Sequence, residues 1–373
     1  MSIPEDVRSA LVDVIESTDN PAPKAMPAHF YRHPDILNNE IPLVFLSGWI
    51  CVCRADEVPN PGDYKALELL DEPIVVTRQK DESIQVLSNV CRHRGSVIMS
   101  GTGHTRRLTC PYHRWSYELD GTLNSAPLMT TLPHFDKSKC SLPEFASTEW
   151  MGWVFANLDN NAAPFETLIE GLNPYVANYH TEQMRTVGSD EESWPINWKC
   201  LAENFMEGYH LTPVHRTTLH PMTPTRLCEK IQGGKGYTGY KSHYSANFKD
   251  RTQYHSDMTE DEKKSSMMVW IYPSFVAAIS PNSAVYMSIT PTGPEELKTQ
   301  WGVVAREAVF DSGEADERFA FARAFNAEDR ARLLDVQRGL RSSNYQRGFL
   351  APEDFEGCVW DFYHFMADKL AYT

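Results

Sequence analysis

The 373-residue sequence has no long hydrophobic run. No stretch approaches the ~18 consecutive apolar residues that a membrane-spanning helix needs. The first residues, MSIPEDVRSALVDVIEST, are charged and amphipathic and lack the basic-then-apolar pattern of a secretory signal. We therefore expect no membrane association and a cytoplasmic location.

The chain also has little positive charge and few cysteines. Its 35 lysines and arginines stand against 50 aspartates and glutamates, a net charge of −15, which argues against nucleic acid as a partner. Eight cysteines show no dense disulfide framework, which favours a reducing compartment. Cys51 and Cys53 lie in the apolar run WICVC, where we interpret them as core packing.

The most informative pattern is Cys91-x-His93 followed, after sixteen intervening residues, by Cys110-x-x-His113. A two-iron cluster with one Cys₂ iron and one His₂ iron requires this donor set. A zinc finger uses the same residue types but typically brings both cysteines first and both histidines second. Two buried thiols and two surface histidines are the plainer alternative, which four such residues at this spacing disfavour. The pattern predicts a [2Fe–2S] cluster.

A second constellation lies in the segment NWKCLAENFMEGYHLTPVH, residues 197–215. It contains Glu207, His210 and His215. A straight helix would separate the two histidines by about 500° of rotation, so we expect Pro213 to end or kink the helix just beyond His210. Two imidazoles and one distant carboxylate form the facial triad of non-haem Fe(II) oxygenases. We interpret His220, which repeats the spacing, as a supporting or surface residue.

These segments, with the flanks NVCRHRG and LTCPYHRWSYELDG, resemble the oxygenase (alpha-type) subunit of Rieske non-haem iron oxygenases over almost the whole chain. In that family the third iron ligand is an aspartate on a C-terminal helix, shortly before a V-Q-x-G-L-x-S run. The resemblance implies Asp329, eight residues before Gln337, as this ligand. Asp335 and Glu328 remain alternatives.

The resemblance also implies partners. Glu207 would accept hydrogen bonds from His210 and from His113 of a neighbouring subunit, so the working unit would be a homotrimer or a dimer of trimers. Asn204, one helical turn from Glu207, is a further candidate catalytic residue. Electrons would come from NAD(P)H through a separate reductase with flavin and ferredoxin-type centres, and O₂ would be the co-substrate.

The chain length, the pattern EN-F-x-E-G-YH and the C-terminal tail are similar to the compact carnitine, choline and glycine-betaine oxygenases. This implies hydroxylation beside a quaternary nitrogen, with C–N cleavage as a further outcome. A methylammonium group needs an aromatic or acidic cage, for which Trp270, Tyr272 and Tyr286 are candidates, although an aromatic stripe in the core is the favoured interpretation of each. Hydroxylation or demethylation of an aromatic acid is the alternative reaction. A non-catalytic Rieske electron-transfer protein is the alternative of another class.

The expected fold is α+β. Residues 1–40 are predicted to be a helix and linker that pack on the catalytic domain, and 41–160 an all-β Rieske [2Fe–2S] domain that begins with the strand-like run IPLVFLSGWICVCRA. Residues 161–373 are predicted to be a helix-and-antiparallel-sheet (START/Bet v1-like) domain with the mononuclear iron. Its predicted helices cover about 197–209, 314–340 and 353–370.

Overall fold

The computed structural model describes residues 3–17, 20–248 and 254–372. The chain divides into two compact units, one combining Met1–Ile50 with Ala163–Thr373 and the other comprising Cys51–Ala162. Within the described ranges, no helix combines the length and the apolar character needed to cross a membrane.

The N-terminal segment is more helical than the sequence predicts. Helix α1 (Glu5–Glu16) buries one amphipathic face, and a 3₁₀ turn (Ala28–Tyr31) leads into α2 (Pro34–Glu40) and a π-helical turn (Ile41–Leu46). The expectation of a strand from residue 41 is wrong, because the first strand begins only at Ile50. A short apolar run fits a buried helix as well as a strand, and periodicity alone does not separate the two.

The second unit is built mainly from β-strands. They are β1 (Ile50–Arg54), β2 (Asp63–Leu69), β3 (Glu72–Arg78), β4 (Ile84–Ser88), β5 (Thr102–His104), β6 (Leu108–Thr109), β7 (Ser116–Tyr117), β8 (Leu123–Ser125), β9 (Glu144–Trp150) and β10 (Trp153–Asn157). One sheet has the order β1-β10-β9-β4-β3-β2-β5, and a smaller sheet has the order β6-β7-β8. Gly121, with φ at 83°, makes the tight turn before β8.

The larger unit holds a seven-stranded sheet and most of the helices. After the N-terminal helices come α3 (Phe165–Ile169), α4 (Asn173–Val176), β11 (Arg185–Trp194), α5 (Trp198–Phe205), α6 (Leu211–Val214), β12 (Cys228–Lys230), β13 (Tyr237–His243), β14 (Ser265–Ile271), β15 (Phe275–Ile279), β16 (Ser283–Gly293), β17 (Glu296–Ala305), α7 (Glu307–Asp311), α8 (Ala315–Leu340) and α9 (Glu353–Leu370). The antiparallel sheet has the order β11-β17-β16-β15-β14-β13-β12. The predicted fold class is confirmed.

Helices α8 and α9 lie where the sequence predicts them. In α9 the buried residues recur at three- and four-residue spacing, from Cys358 to Leu370, as expected for a helix with one face in the core. This helix contacts α1, β12 and β13, whereas α8 contacts α5, β11 and β17. The two helices therefore bracket the segment that follows α5.

Helix α5 is held in place by a buried ion pair. The Lys199 Nζ atom lies 2.6 Å from Glu40 Oε1, and both side chains are fully buried. The other oxygen of Glu40 accepts a hydrogen bond from Trp198 Nε1 at 2.9 Å. Lys199 Nζ also lies 4.6 Å from the centroid of the Phe30 ring. The N-terminal segment and α5 are thereby joined through a charge that has no access to water.

A buried carboxyl group makes a second such connection. Tyr31 donates a hydrogen bond to Glu203 on α5, and the hydroxyls of Tyr31 and Tyr363 on α9 lie 2.9 Å apart. Burial raises the pKa of Glu203 to about 8. Its neutral form is therefore favoured in the folded protein. The stabilisation that depends on this form is fully present below the ordinary pKa of 4.5 and is lost as the pH rises from there to about 8.

Replacing Glu40 by alanine should lower the free energy of unfolding by about 3–5 kcal/mol, because Lys199 would remain buried without its counter-charge. Urea unfolding followed by tryptophan fluorescence measures this change. The matched control is Glu191→Ala, which breaks the exposed Lys298–Glu191 pair and should cost less than about 1 kcal/mol. Equal effects of the two substitutions would contradict the role assigned to the buried pair.

Candidate metal centres and active-site cavity

The two loops that carry the paired cysteines and histidines have the same backbone pattern. In each loop the cysteine N–H donates to the carbonyl five residues later, and the residue four positions later donates its N–H to the cysteine carbonyl. That fourth residue has a positive φ in both loops, 74° at Gly95 and 62° at Arg114. Glycine adopts this conformation freely, whereas arginine is strained in it. The repeated geometry turns the side chains of Cys91 and Cys110 in equivalent ways.

The four side chains meet as two pairs. The Nδ1 atoms of His93 and His113 lie 3.1 Å apart, and the thiols of Cys91 and Cys110 interact with each other. These atoms do not form a group of three or more ligands within 4.8 Å in the described part of the chain. A tetrahedral zinc ion needs all four ligand atoms within about 4 Å of one another. Separate thiol and imidazole pairs fit a two-iron cluster, with one pair on each iron.

Hydrogen-bond donors surround the sulfur atoms. Burial raises the pKa of the Cys110 thiol, but the backbone N–H groups of Tyr112 and His113 lower it, and the net shift is downward. The Tyr117 hydroxyl lies 3.3 Å from Cys91 Sγ and accepts the N–H of Arg92 at 3.0 Å. Since that hydroxyl already accepts from Arg92, its own hydrogen is available to the Cys91 sulfur.

Tyr117→Phe should lower the reduction potential of the bound cluster by tens of millivolts, because a hydrogen bond donated to a thiolate stabilises the more negative, reduced state. A spectroscopic redox titration of the purified protein measures this potential. Tyr112→Phe is the matched control, since the Tyr112 ring lies against His113 while its side chain is largely exposed. An unchanged potential in Tyr117→Phe would contradict the proposed hydrogen bond.

The chain leaves the helical path before the first histidine of the second constellation. Helix α5 ends at Phe205, earlier than the predicted end at 209. Gly208 then packs so closely on Cys228 that a side chain there would collide with the Cys228 sulfur. The expected break at Pro213 is also wrong, since Pro213 lies inside α6, between the two histidines. The break depends on packing against β12, which the local sequence does not reveal.

This path brings His210, His215 and Asp329 together. The Nε2 atoms of His210 and His215 lie 3.5 and 3.0 Å from Asp329 Oδ1. The His215 side chain is fully buried, and those of His210 and Asp329 are 13% exposed. Both His215 Nε2 and Asp329 Oδ1 are buried, and neither makes a hydrogen bond of good geometry, to the other or to any further residue that the structure describes. Buried polar atoms of this kind need a ligand, and two imidazoles with one carboxylate fit a non-haem iron ion.

Each imidazole is fixed by a carboxylate on its other nitrogen. His210 Nδ1 lies 2.6 Å from Glu207 Oε1, and His215 Nδ1 lies 2.7 Å from Glu328 Oε2. Thr218 donates to the same Glu328 oxygen at 2.6 Å. Burial lowers the pKa of His210, but the Glu207 carboxylate outweighs it and raises the value to about 9. Both Nδ1–H groups are thereby engaged, and both Nε2 atoms face Asp329.

The other candidates from the sequence lie elsewhere. Asp335 pairs with Arg338 on the outer surface of α8, and His220 Nδ1 lies 3.1 Å from Thr212 Oγ1. Glu328, the second alternative ligand, instead supports His215. Asn204 is half-buried on α5, does not line the cavity and makes no side-chain hydrogen bond with residues in the described ranges.

A cavity of about 900 Å³ opens onto the two histidines and Asp329. Six aromatic side chains line it: Phe205, Tyr240, Tyr244, Phe248, Phe321 and Phe325. Charged residues near the start of α8 also line it: Glu314, Glu317 and Arg318. Arg318 pairs with Glu314 at 3.4 Å, whereas Glu317 forms no ion pair with residues that the structure describes. The cavity is thus largely apolar and aromatic, and the exposed Glu317 adds a carboxylate that has no ion-pair partner in the described ranges.

The aromatic residues expected to form a cage are in the core instead. Trp270 stacks on Phe362 with ring centroids 4.3 Å apart and donates Nε1–H to the Pro273 carbonyl, and neither Tyr272 nor Tyr286 lines the cavity. All three side chains are buried in the core, as the favoured interpretation of the sequence has it, and the alternative of a cage at these positions is wrong. The sequence of α8 gives a better indication of the cavity lining, since Phe321, Phe325 and Asp329 recur every four residues along one face.

Comparisons with known families account for both centres. Residues 48–136 match the Rieske [2Fe-2S] domain, and residues 177–372, more than half of the chain, match the ring hydroxylating alpha subunit (catalytic domain). The chain belongs to the ring-hydroxylating alpha subunit family. Membership implies a Rieske cluster and a mononuclear iron. It also confirms the prediction of an oxygen-incorporating oxidoreductase and disfavours a non-catalytic electron carrier.

Individual relatives refine the comparison. The carnitine monooxygenase oxygenase subunit of Escherichia coli (strain K12) is 28% identical over 330 residues, 86% of this chain and 85% of that protein. The glycine betaine monooxygenase oxygenase subunit of Chromohalobacter salexigens is 31% identical over 199 residues, 53% of this chain and 44% of that protein. A quaternary ammonium Rieske monooxygenase solved with L-carnitine has a TM-score of 0.81 at 24% identity over 99% of both chains, which shows a shared fold.

Glu328→Ala should weaken Fe(II) binding about 10- to 100-fold, because His215 would lose the acceptor that orients its ring. Glu328→Gln keeps an oxygen at that position and should restore most of the affinity. Fe(II) titration of protein from which the iron at His210, His215 and Asp329 has been removed measures the binding. Asp335→Ala is the control and should bind iron as the unmodified protein does. Iron loss in the control, with none in Glu328→Ala, would overturn the assignment of these two carboxylates.

Proposed function

We propose that this protein is the oxygenase component of a Rieske-type monooxygenase that hydroxylates a quaternary-ammonium compound of the betaine type, with C–N cleavage as a further outcome. The observation that supports it best is the cavity, in which a prospective iron site faces aromatic rings and an unpaired carboxylate. The reductant is NAD(P)H, used through a separate reductase with flavin and ferredoxin-type centres.

The iron ligands are His210, His215 and Asp329. These residues would hold an iron ion with positions left for O₂ and substrate, and the two Cys/His loops would hold the cluster that supplies electrons. Glu207 and Glu328 hold the Nδ1–H groups of the two imidazoles, so both rings present Nε2 to the same point. The aromatic lining excludes water around that point.

The cavity suits a methylated ammonium group. Such a cation has no N–H to donate, so it is recognised by aromatic faces and by carboxylate charge. The cavity supplies aromatic faces from Tyr240, Tyr244, Phe321 and Phe325, and it supplies a carboxylate charge from Glu317. The similarity to carnitine and glycine betaine monooxygenase oxygenase subunits supports the same substrate class.

Glu207 is proposed to connect neighbouring subunits. One of its oxygens is bound to His210 Nδ1 and the other to the His210 backbone N–H, and its side chain remains 13% exposed. The Nδ1 atom of His113 faces His93, so the His113 Nε2 faces the other way, and it makes no hydrogen bond to the residues in the described ranges. We infer that His113 of a neighbouring subunit donates to Glu207 in a homotrimer or a dimer of trimers. Inter-subunit electron transfer is described for a quaternary ammonium Rieske monooxygenase of the same fold.

Hydroxylation or demethylation of an aromatic acid is the second candidate. Arg318 in the cavity lining favours it, because a guanidinium binds a carboxylate in two places. Arg318 is already paired with Glu314 and donates to Ser283 at 3.1 Å. A betaine carries both a cation and a carboxylate, so Glu317 and Arg318 together favour the zwitterion.

Single-turnover reactions test the proposed substrate class without the reductase. Iron-loaded protein is reduced with dithionite, desalted anaerobically and mixed with ¹⁸O₂ and either a betaine (carnitine, γ-butyrobetaine, glycine betaine) or an aromatic acid (benzoate, vanillate). We expect one ¹⁸O atom in a product from at least one betaine and none from the aromatic acids. Products from the aromatic acids alone would contradict the substrate class. No product from either group would contradict the function.

The same reactions with Glu317→Gln test the recognition of the cation. The betaine concentration that gives half of the maximal rate of product formation should rise about 5-fold, since a charge pair at the exposed Glu317 contributes roughly 1 kcal/mol, while the rate at saturating betaine changes little. Asp316→Asn, at the adjacent exposed position that does not line the cavity, is the control. An unchanged half-saturating concentration in Glu317→Gln would show that its carboxylate does not bind the cation.

A further inference from the structure

A second group of potential metal ligands lies outside the cavity. It consists of His180, His255 and Asp257, each with one ligand atom within 4.8 Å of the others. His180 Nε2 lies 3.0 Å from Asp257 Oδ2, and His255 Nδ1 lies 3.7 Å from the same oxygen. The imidazole ring centroids are 4.1 Å apart. Ligand atoms of a tetrahedral zinc ion, with bonds of about 2.0–2.1 Å, lie about 3.4 Å from one another.

The side chains of this group are oriented by neighbouring residues. The outer nitrogen of His180, Nδ1, lies 3.1 Å from Glu182 Oε1, which leaves Nε2 facing Asp257. Ser256 Oγ donates to Asp257 Oδ1 at 3.1 Å, which leaves Oδ2 facing both imidazoles. A carboxylate on the far nitrogen of a ligand histidine fixes the ring and its tautomer. His210 and His215 are held in the same manner at the iron site.

The two chain segments that supply the ligands are joined beside the group. Asn178 donates to both carboxylate oxygens of Glu262 at 3.1 and 3.2 Å, and the backbone N–H of Thr259 donates to the same carboxylate at 2.7 Å. His180 lies two residues from the first of these contacts, and Asp257 lies two residues before the last. His180 and Asp257, which are 77 positions apart in the sequence, therefore lie on two chain segments that hydrogen bonds hold together. Because the two segments are already held together, less conformational entropy of the chain is lost when an ion binds.

We propose that His180, His255 and Asp257 bind one divalent transition-metal ion of the Zn²⁺ class. Asp257 contributes Oδ2, His180 contributes Nε2 and His255 contributes a ring nitrogen. The Nδ1 atom of His255 accepts a long hydrogen bond of 3.3 Å from the Asp257 backbone N–H, which an ion bound at Nδ1 would replace. The side chains of the two histidines are each 24% exposed and that of Asp257 is 53% exposed, so water reaches the group and completes the coordination. The donor set of imidazoles and a carboxylate suits zinc or copper better than Mg²⁺ or Ca²⁺, which prefer oxygen atoms alone.

Equilibrium dialysis of the iron-loaded protein against Zn²⁺ tests this site, with zinc and iron counted by atomic emission. We expect one zinc per chain at micromolar Zn²⁺ without loss of iron, and at least 10-fold weaker zinc binding in His180→Ala, His255→Ala and Asp257→Asn. Glu182→Gln, which keeps an acceptor for His180, should bind zinc almost normally. Retained iron shows that zinc has not displaced the ion at His210 and His215.

His243→Ala is the matched control. His243 is also a surface histidine between two carboxylates, 2.8 Å from Glu229 and 3.7 Å from Asp261, and no second histidine joins it within the described ranges. Its replacement should leave the zinc stoichiometry unchanged. Zinc binding that survives the His255→Ala and Asp257→Asn substitutions, or its absence from the unmodified protein, would overturn the proposal. Circular dichroism of each variant verifies that the fold is retained.

Discussion

Two carboxylates determine the geometry of the prospective iron site. Glu207 and Glu328 each take the Nδ1–H of one imidazole, and this contact leaves the Nε2 atoms of His210 and His215 facing one oxygen of Asp329. Without these acceptors the rings would be free to turn about their side-chain bonds, and the three ligand atoms would not meet. The orientation of the imidazoles is thus built from charge-assisted hydrogen bonds, which are stronger than neutral ones.

The rest of the larger unit supports that arrangement. The buried pair of Glu40 and Lys199 fixes α5, and the close packing at Gly208 then diverts the chain so that His210 leaves the helical path. From the opposite side, α8 presents adjacent acidic residues about 100° apart around its axis. Asp329 therefore faces the histidines directly, while Glu328 reaches the outer edge of one of them. One helix supplies both the prospective ligand and the group that orients its partner.

The chemistry of the two prospective metal sites is easier to predict from the sequence than the local path of the backbone is. The four residues of the cluster loops and the histidines at 210 and 215 are recognisable because few other functions require those residue types at those spacings. The roles of Asp329 and Glu328 differ only through their orientation on α8, which the sequence leaves open. The early end of α5 and the helical turn at 41–46 both depend on long-range packing. Local patterns do not encode such contacts.

We propose that His210, His215 and Asp329 together hold one ferrous ion, and a ferrous ion with an open position gives a characteristic nitrosyl signal with nitric oxide. Electron paramagnetic resonance of the dithionite-reduced, iron-loaded protein measures that signal. We expect it in the unmodified protein and in His220→Ala, and we expect its loss in His215→Ala and Asp329→Ala with the reduced cluster signal unchanged. A nitrosyl signal that persists in both of those variants would show that these side chains do not hold the iron.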